Sequence, residues 1–218
     1  MDWDYGGSRR RSRRRSNLVA ELLLLVELLF QPLPHRDLRY EWVVGQADGY
    51  TCGPAAVATL LTHYYDIATT EAEALELAEG FMIAVGREPG QALTALALRQ
   101  TLEAKGIPTR GYRVSPEALA DYFARGGLPV ILHLTEPQKH FVVGVGVVGD
   151  HIVLADPSWG QSLLPFSTFV EERGYSEVVL VPIPPQEVAL LVQERQREAL
   201  RRAEDRLAAL ARLRERLP

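Results

Sequence analysis

A single cysteine among 218 residues leaves no partner for an intramolecular disulfide and excludes a multi-cysteine zinc site, while fitting any redox compartment. No phosphate-cradling loop occurs in the chain. The Gly144 and Gly146 pair is no dinucleotide fingerprint, because strand-forming residues run straight through it. No apolar run reaches the roughly 20 residues that a membrane-spanning helix needs. The longest, residues 18–30, is interrupted by Glu21 and Glu27. Positive charge is not in excess either: 24 Lys and Arg stand against 28 Asp and Glu, and a net charge of −4 gives no general case for nucleic-acid binding. What is present is 47% apolar and 8% aromatic residues, enough for a true core and for one domain of about 140 residues with appendages.

The appendages lie at the two ends. Residues 1–35 carry the arginine triplets Arg9–Arg11 and Arg13–Arg15, then the apolar run, then a proline-flanked stop. A basic stretch before an apolar one has the plan of an export signal or anchor. The two glutamates and the absence of a small-residue cleavage site keep two other readings open: an interfacial helix holding residues 9–30 at a membrane, or a helix packed on the domain. At the other end, residues 186–218 are charged and free of Gly and of internal Pro. Leu200, Ala203, Leu207 and Leu210 follow three-four spacing there, and Arg214 interrupts the seam. This helix is expected either to pack on its own domain or to form a coiled-coil contact with itself or a partner through residues 186–217. Its interspersed glutamates argue against nucleic acid.

Between them, residues 36–185 read as helices first and an antiparallel sheet second, an α+β domain. Residues 36–46 suggest a short strand. A helix should run from Cys52 to about Asp66. A second is expected from a Thr69–Thr70 cap to Glu79, followed by a loop punctuated by Gly80, Gly86 and Gly90. Residues 93–105 and the stretch opened by Ser115-Pro116-Glu117 make two more helices. Strands are expected at residues 129–134, 141–148, 151–155 and 177–182, with Gly149-Asp150 closing a tight hairpin.

The stretch Gln46-Ala-Asp-Gly-Tyr-Thr-Cys52-Gly-Pro-Ala-Ala carries the first chemical signal. Pro54 suits a first helical turn and Val57, Leu60, Leu61 and Tyr64 recur at helical spacing, so Cys52 sits at a helix N-terminus. Unpaired N–H groups and the macrodipole there favour a thiolate, the nucleophilic form. A lone cysteine is more often a small buried hydrophobe. Three neighbours reverse the odds. Gly53 leaves the approach to sulfur open, Gly49 loosens the preceding turn, and Gln46 offers an amide that, with the Cys52 N–H, would form an oxyanion hole.

A nucleophile of this kind needs a base and a group to orient it. His63 lies eleven residues further along the same helix, about 16 Å from Cys52 and out of reach. His35 falls in the proline-flanked linker, and His133 and His151 belong to strands as structural or exposed groups. His140 starts an apolar strand after a Pro-Gln-Lys turn, where its ring can project into a cleft. Asp156 ends the next strand of the hairpin, beside it. Asp-Pro alone marks a turn; opposite His140 it can hold the imidazole tautomer.

The three motifs Gln46-x5-Cys52-Gly-Pro-Ala, Lys139-His140-Phe-Val-Val and Leu154-Ala-Asp156-Pro-Ser-Trp-Gly160 resemble those of the C39 peptidases, papain-like cysteine proteases that remove double-glycine leaders. The resemblance spans about residues 40–183. It implies a papain-like α+β fold with Cys52 as nucleophile, His140 as base and acid, Asp156 as orienter, Gln46 in the oxyanion hole, and no metal or organic cofactor. It implies a peptide or protein substrate, a secreted or exported leader cut after Gly-Gly. Many such domains begin an ABC exporter; the expectation here is a stand-alone member of the kind found with functional-amyloid secretion, in the periplasm, with the cytoplasm as the alternative. Two other classes stay open: a peptide-binding module of a secretion system without turnover, and a papain-like enzyme transferring another acyl group.

Overall fold

The computed structural model describes residues 35–88 and 90–216. The export-signal and membrane expectations for residues 1–34 lie outside them. Among the described residues no helix is long and apolar enough to cross a membrane.

Helix α1 (His35–Tyr40) leads through a turn and an unpaired stretch to α2 (Cys52–Thr59), which continues as one π-helical turn, Leu60–Tyr64. The strand expected at residues 36–46 is not formed. Trp42, Val43 and Val44 have no ladder, because side chains and a distant loop take up the backbone: Val44 N–H donates to Thr59 Oγ1 at 2.9 Å and Gln46 N–H to Pro157 O at 3.1 Å. Helix α3 (Glu71–Ala84) opens on a full capping box, with Thr70 Oγ1 accepting from Glu73 N–H and Glu73 Oε2 from Thr70 N–H. It runs through Gly80 and stops at Gly86, whose φ of 81° closes the last turn. Helices α4 (Ala95–Ala104) and α5 (Pro116–Ala124) carry their N-caps on Thr94 and Ser115.

The sheet contains β1 (Thr109–Arg113), β2 (Val130–Leu134), β3 (His140–Val148), β4 (His151–Asp156), β5 (Gly160–Pro165) and β6 (Tyr175–Pro182), in the order β1-β6-β2-β3-β4-β5, every pairing antiparallel. A short helix α6 (Phe166–Glu171) precedes β6, and α7 (Gln186–Arg216) follows it. One sheet face, with Val143, Val145, Val153 and Ala155, packs on α2, α4 and α7, and α3 lies against α2 and α4. The other, with Leu132, Val142, Ile152 and Leu154, is covered by Leu119 and Phe123 of α5 and Phe169 of α6.

One irregularity organises the rest. The β3–β4 register shifts between Gly144 and Gly146, a bulge at Val145. The bulged carbonyl is not wasted: the buried Gln196 of α7 donates Nε2 to Val145 O at 2.7 Å and to Gly127 O at 2.8 Å. A Cβ on Gly146 would stand 2.9 Å from Leu200, and one on Gly144 2.5 Å from Leu132. The glycine pair thus admits the neighbours that cover the bulge. Val192, Gln196, Ala199 and Ala203 bury the first half of α7 on the domain, and Arg202 pairs with Glu41 at 2.8 Å and lies over the Trp42 ring.

Candidate active site

Helix α2 delivers Cys52 as its first residue, buried together with every other residue of the helix. Its N-cap Thr51 makes no side-chain cap bond, because the Thr51 hydroxyl is engaged with both backbone groups of Asp48. Pro54 has no N–H to offer. The cap side chain therefore leaves the first donors of the helix, on Cys52 and Gly53, untouched. Gly53 has a packing reason that the sequence did not suggest: a Cβ there would lie 2.8 Å from Leu98 of α4.

His140 and Asp156 meet because of the Val145 bulge. Beyond it the register is Val143↔Ala155, which sets Asp156 opposite Val142 and on the same sheet face as His140. Pairing continued without a bulge from Val148↔His151 would set Asp156 opposite Val143 and turn it to the other face, since side chains alternate along a strand. In the folded chain His140 Nε2 is 2.7 Å from Asp156 Oδ1, with both side chains at most 5% exposed. Asp156 Oδ1 also accepts the Ser158 N–H at 2.8 Å, and Oδ2 accepts from Arg173 Nη2 at 3.3 Å. With Nε2–H committed to the carboxylate, Nδ1 is the ring nitrogen left for Cys52.

Burial alone would lower the His140 pKa. Hydrogen bonds and charge from Asp156 and Cys52 outweigh burial and lift it to about 9. Burial likewise opposes ionisation of Asp156, but His140, the Ser158 N–H and Arg173 hold its carboxyl below the usual range. A pH profile follows. An imidazolium with a pKa near 9 persists through neutrality, so kcat/KM should hold to about pH 9 and fall above it. For stability, the raised His140 contributes fully below its ordinary 6.5, a contribution lost as pH rises through about 9; the lowered Asp156 contributes above 3.8, a contribution lost as pH falls through its depressed value. Urea midpoints should therefore decline on both sides. A midpoint unchanged from pH 7 to 10 would contradict the His140 environment.

Gln46 is held by the loop after Asp156. Ser158 Oγ donates to Gln46 Oε1 at 2.7 Å, and Gln46 Nε2 spends one hydrogen on Asp48 O at 2.7 Å. An amide nitrogen carries two, so the second remains for a ligand. The loop is in turn anchored from Arg39 and Tyr40: Tyr40 Oη donates to Ser158 O at 2.7 Å, Arg39 Nη2 donates to Trp159 O, and the Arg39 guanidinium lies 5.8 Å from the Trp159 ring. Gly160 ends the loop with φ 77°, and a Cβ there would meet the Arg39 carbonyl oxygen at 2.4 Å. Gly160→Ala should cost about 1–3 kcal/mol of stability from the backbone conformation alone, read from urea denaturation. The clash should also loosen the Gln46 mooring, and an unchanged midpoint would show that the loop can move aside.

Sequence reasoning missed three contributors. Arg173, in the turn from α6 to β6, touches the buried carboxylate, yet nothing in its local pattern sets it apart. Ser158 lay within a noted motif without a role of its own. His133, which reading along its strand made structural or exposed, lines a cleft of about 480 Å³ together with Cys52, Gly53, Leu93, Lys139 and Phe141. His63 packs against Trp42 with ring centroids 5.9 Å apart, and His151 pairs with the exposed Asp150. Among the described residues, no group of three or more His, Cys, Asp or Glu side chains could hold a metal.

Comparison with known proteins bears on the same region. A family model described as the peptidase C39 family matches residues 41–187. The probable functional amyloid protease FapD of Pseudomonas aeruginosa is 26% identical over 186 residues, covering 76% of this chain and 79% of that protein. The lactococcin-G-processing and transport ATP-binding protein LagD of Lactococcus lactis is 29% identical over 147 residues, 66% of this chain but only 19% of LagD. A crystal structure of a double glycine motif protease from an AMS/PCAT transporter in complex with the leader peptide is 26% identical and covers 66% of this chain and 91% of that one, with a TM-score of 0.54. The peptidase domain of Streptococcus ComA, 23% identical over 66% of this chain and 98% of that one, shares the fold with a TM-score of 0.56.

Proposed function

This chain belongs to the peptidase C39 family and is a cysteine peptidase, and from that premise we propose that Cys52, His140 and Asp156 perform the cleavage, with Gln46 and the Cys52 N–H holding the oxyanion. The observation that carries the reading is the buried 2.7 Å bond between His140 Nε2 and Asp156 Oδ1, with Cys52 near enough to the same ring to help raise its pKa.

The Cys52 thiolate attacks the scissile carbonyl carbon. A C–S bond forms and the carbonyl electron pair moves to oxygen, where the second Gln46 N–H and the Cys52 N–H receive it. As the tetrahedral intermediate collapses, the C–N bond breaks and the imidazolium of His140 gives its proton to the leaving amine. The neutral ring then takes a proton from water as water attacks the thioester. The C–S bond breaks, the product leaves as a carboxylic acid that gives its proton to bulk water, and the thiolate–imidazolium pair is restored. Asp156 stays ionised throughout, holding Nε2–H, and Arg173 keeps its charge balanced while His140 is neutral.

The substrate is proposed to be the leader of an exported peptide or protein, cut after Gly-Gly, and the site of action the periplasm. Support for the substrate comes from the relatives named for functional-amyloid proteolysis and for lactococcin-G processing and transport, and from the leader peptide bound to the similar double glycine motif protease. A secretion-system partner and self-association through residues 186–217 belong to the same proposal, as does membrane association through residues 9–30. The test is mass spectrometry after exposure to a peptide chloromethyl ketone ending in Gly-Gly, comparing wild type with His140→Ala. Rapid His140-dependent adduct formation on Cys52 is the expected result. Slow labelling, equal in both proteins, would overturn the nucleophile assignment and favour a module that binds without turnover.

A further inference from the structure

The geometry points to His133 as a substrate-recognition residue, whose Nε2 accepts a backbone N–H of the peptide lying in the cleft beside Cys52. The inference deepens the peptidase reading and rests on it.

The sheet carries a second irregularity. The β2–β6 register shifts between Leu132 and Leu134, and Glu177 on β6 takes a φ of 64°, a conformation unfavourable for a residue with a Cβ. Strain of this kind persists where surrounding structure enforces it, often beside functional sites. Here the kink is pinned by Val114 N–H donating to Glu177 O at 2.9 Å, and it sets the Ser176 hydroxyl beside His133 Nδ1. Ser176 Oγ lies 2.8 Å from His133 Nδ1 and 3.0 Å from the His133 carbonyl oxygen. A hydroxyl has one hydrogen and a carbonyl can only accept. The hydrogen therefore goes to the carbonyl, and Nδ1 must be the protonated nitrogen that donates to Oγ.

That assignment leaves Nε2 with a lone pair, provided the ring is neutral. Burial, reinforced by Lys139 and His140, lowers the His133 pKa and keeps it so. Nε2 makes no hydrogen bond among the described residues, and the ring is steadied by Phe141, its cross-strand neighbour, at a centroid distance of 4.9 Å. The two rings share the cleft wall with Cys52.

The cleft has a shortage that this lone pair meets. Its walls are largely apolar, so a peptide chain entering them must find partners for its N–H groups or lose their hydration uncompensated. Arg87 and Lys139 can only donate and suit carbonyls. The Thr94 hydroxyl is already used, accepting from Ala97 N–H and donating to Met82 Sδ. Tyr50 is 39% exposed and belongs to the rim. Among the lining side chains His133 is the interior acceptor without a partner.

The test measures Cys52 alkylation by two probes. One is an extended peptide chloromethyl ketone ending in Gly-Gly, supplied also as a series N-methylated at one amide at a time. The other is iodoacetamide, too small to need the cleft. His133→Phe should raise the concentration of peptide ketone for half-maximal labelling about tenfold, as expected for one buried hydrogen bond, with the limiting rate and the iodoacetamide rate within twofold of wild type. One N-methylated peptide should lose the same factor in wild type and nothing further in His133→Phe. Ser176→Ala, which frees the tautomer while keeping the imidazole, should give an intermediate loss and serves if His133→Phe does not fold. Peptide labelling indifferent to both substitutions, or N-methyl losses that simply multiply with them, would overturn the assignment. Failure of the underlying site reading looks different: wild-type Cys52 would then react slowly with both probes and without dependence on His140.

Discussion

Replacing His140 by alanine is expected to lower kcat/KM on a cleaved peptide by about four orders of magnitude or more, with Cys52→Ala no worse and the double variant no worse than either. The reason is that the two side chains act as one unit. Without the imidazole there is no cation to stabilise the thiolate, no acid for the leaving amine and no base for water. Removing the sulfur makes those functions irrelevant. Folding should survive, because deleting the ring leaves Asp156 still bonded to Ser158 N–H and Arg173. The measurement is turnover of the three variants beside wild type, with circular dichroism to confirm the fold. Losses that multiply in the double variant would show that the groups act separately, and the mechanism would fail.

Much of this site could be read in the chain because its parts are local. Helical spacing after Cys52, the Thr70–Glu73 box and the Gly149-Asp150 hairpin are each decided by a few neighbouring residues. The reading that sets His140 beside Asp156 succeeds for a reason it did not contain. A regular hairpin would put the two on opposite faces, and the Val145 bulge that brings them together depends on Gln196 and Leu200, some fifty residues away. Strand β1 escaped because only Thr109 is buried and the rest of Thr109–Arg113 is exposed, leaving no alternation to detect. Strand β5 has mostly half-buried residues and opens on Gly160 straight after a turn, which looks like loop. Arg173 and His133 are likewise products of tertiary structure. Each draws its role from a group more than fifteen residues away, Asp156 for one and Ser176 for the other.

Asp156→Asn tests the orienting role more sharply than deletion, because the shape is kept and only charge and acceptors change. Asp156 serves three donors: His140 Nε2–H and Ser158 N–H on Oδ1, and Arg173 Nη2 on Oδ2. An amide has one oxygen. If that oxygen stays on His140 and Ser158, the new NH2 group faces the Arg173 guanidinium, donor against donor. If the amide turns over, its NH2 meets His140 Nε2, which must then give up its hydrogen; Nδ1 becomes the protonated nitrogen and the ring can no longer take a proton on the side of Cys52. Either arrangement should reduce kcat/KM by about 10²- to 10⁴-fold. The sign of the pH effect is fixed as well: Asp156 raises the His140 pKa, so its loss moves the alkaline limb down from about 9. Arg173, with a side chain 22% exposed and its carboxylate partner gone, should make the variant less stable. Adding Arg173→Gln should restore the urea midpoint without restoring activity, which separates the structural contribution of the carboxylate from its hold on the imidazole. Full activity in Asp156→Asn across the pH range would mean that His140 is oriented by something else.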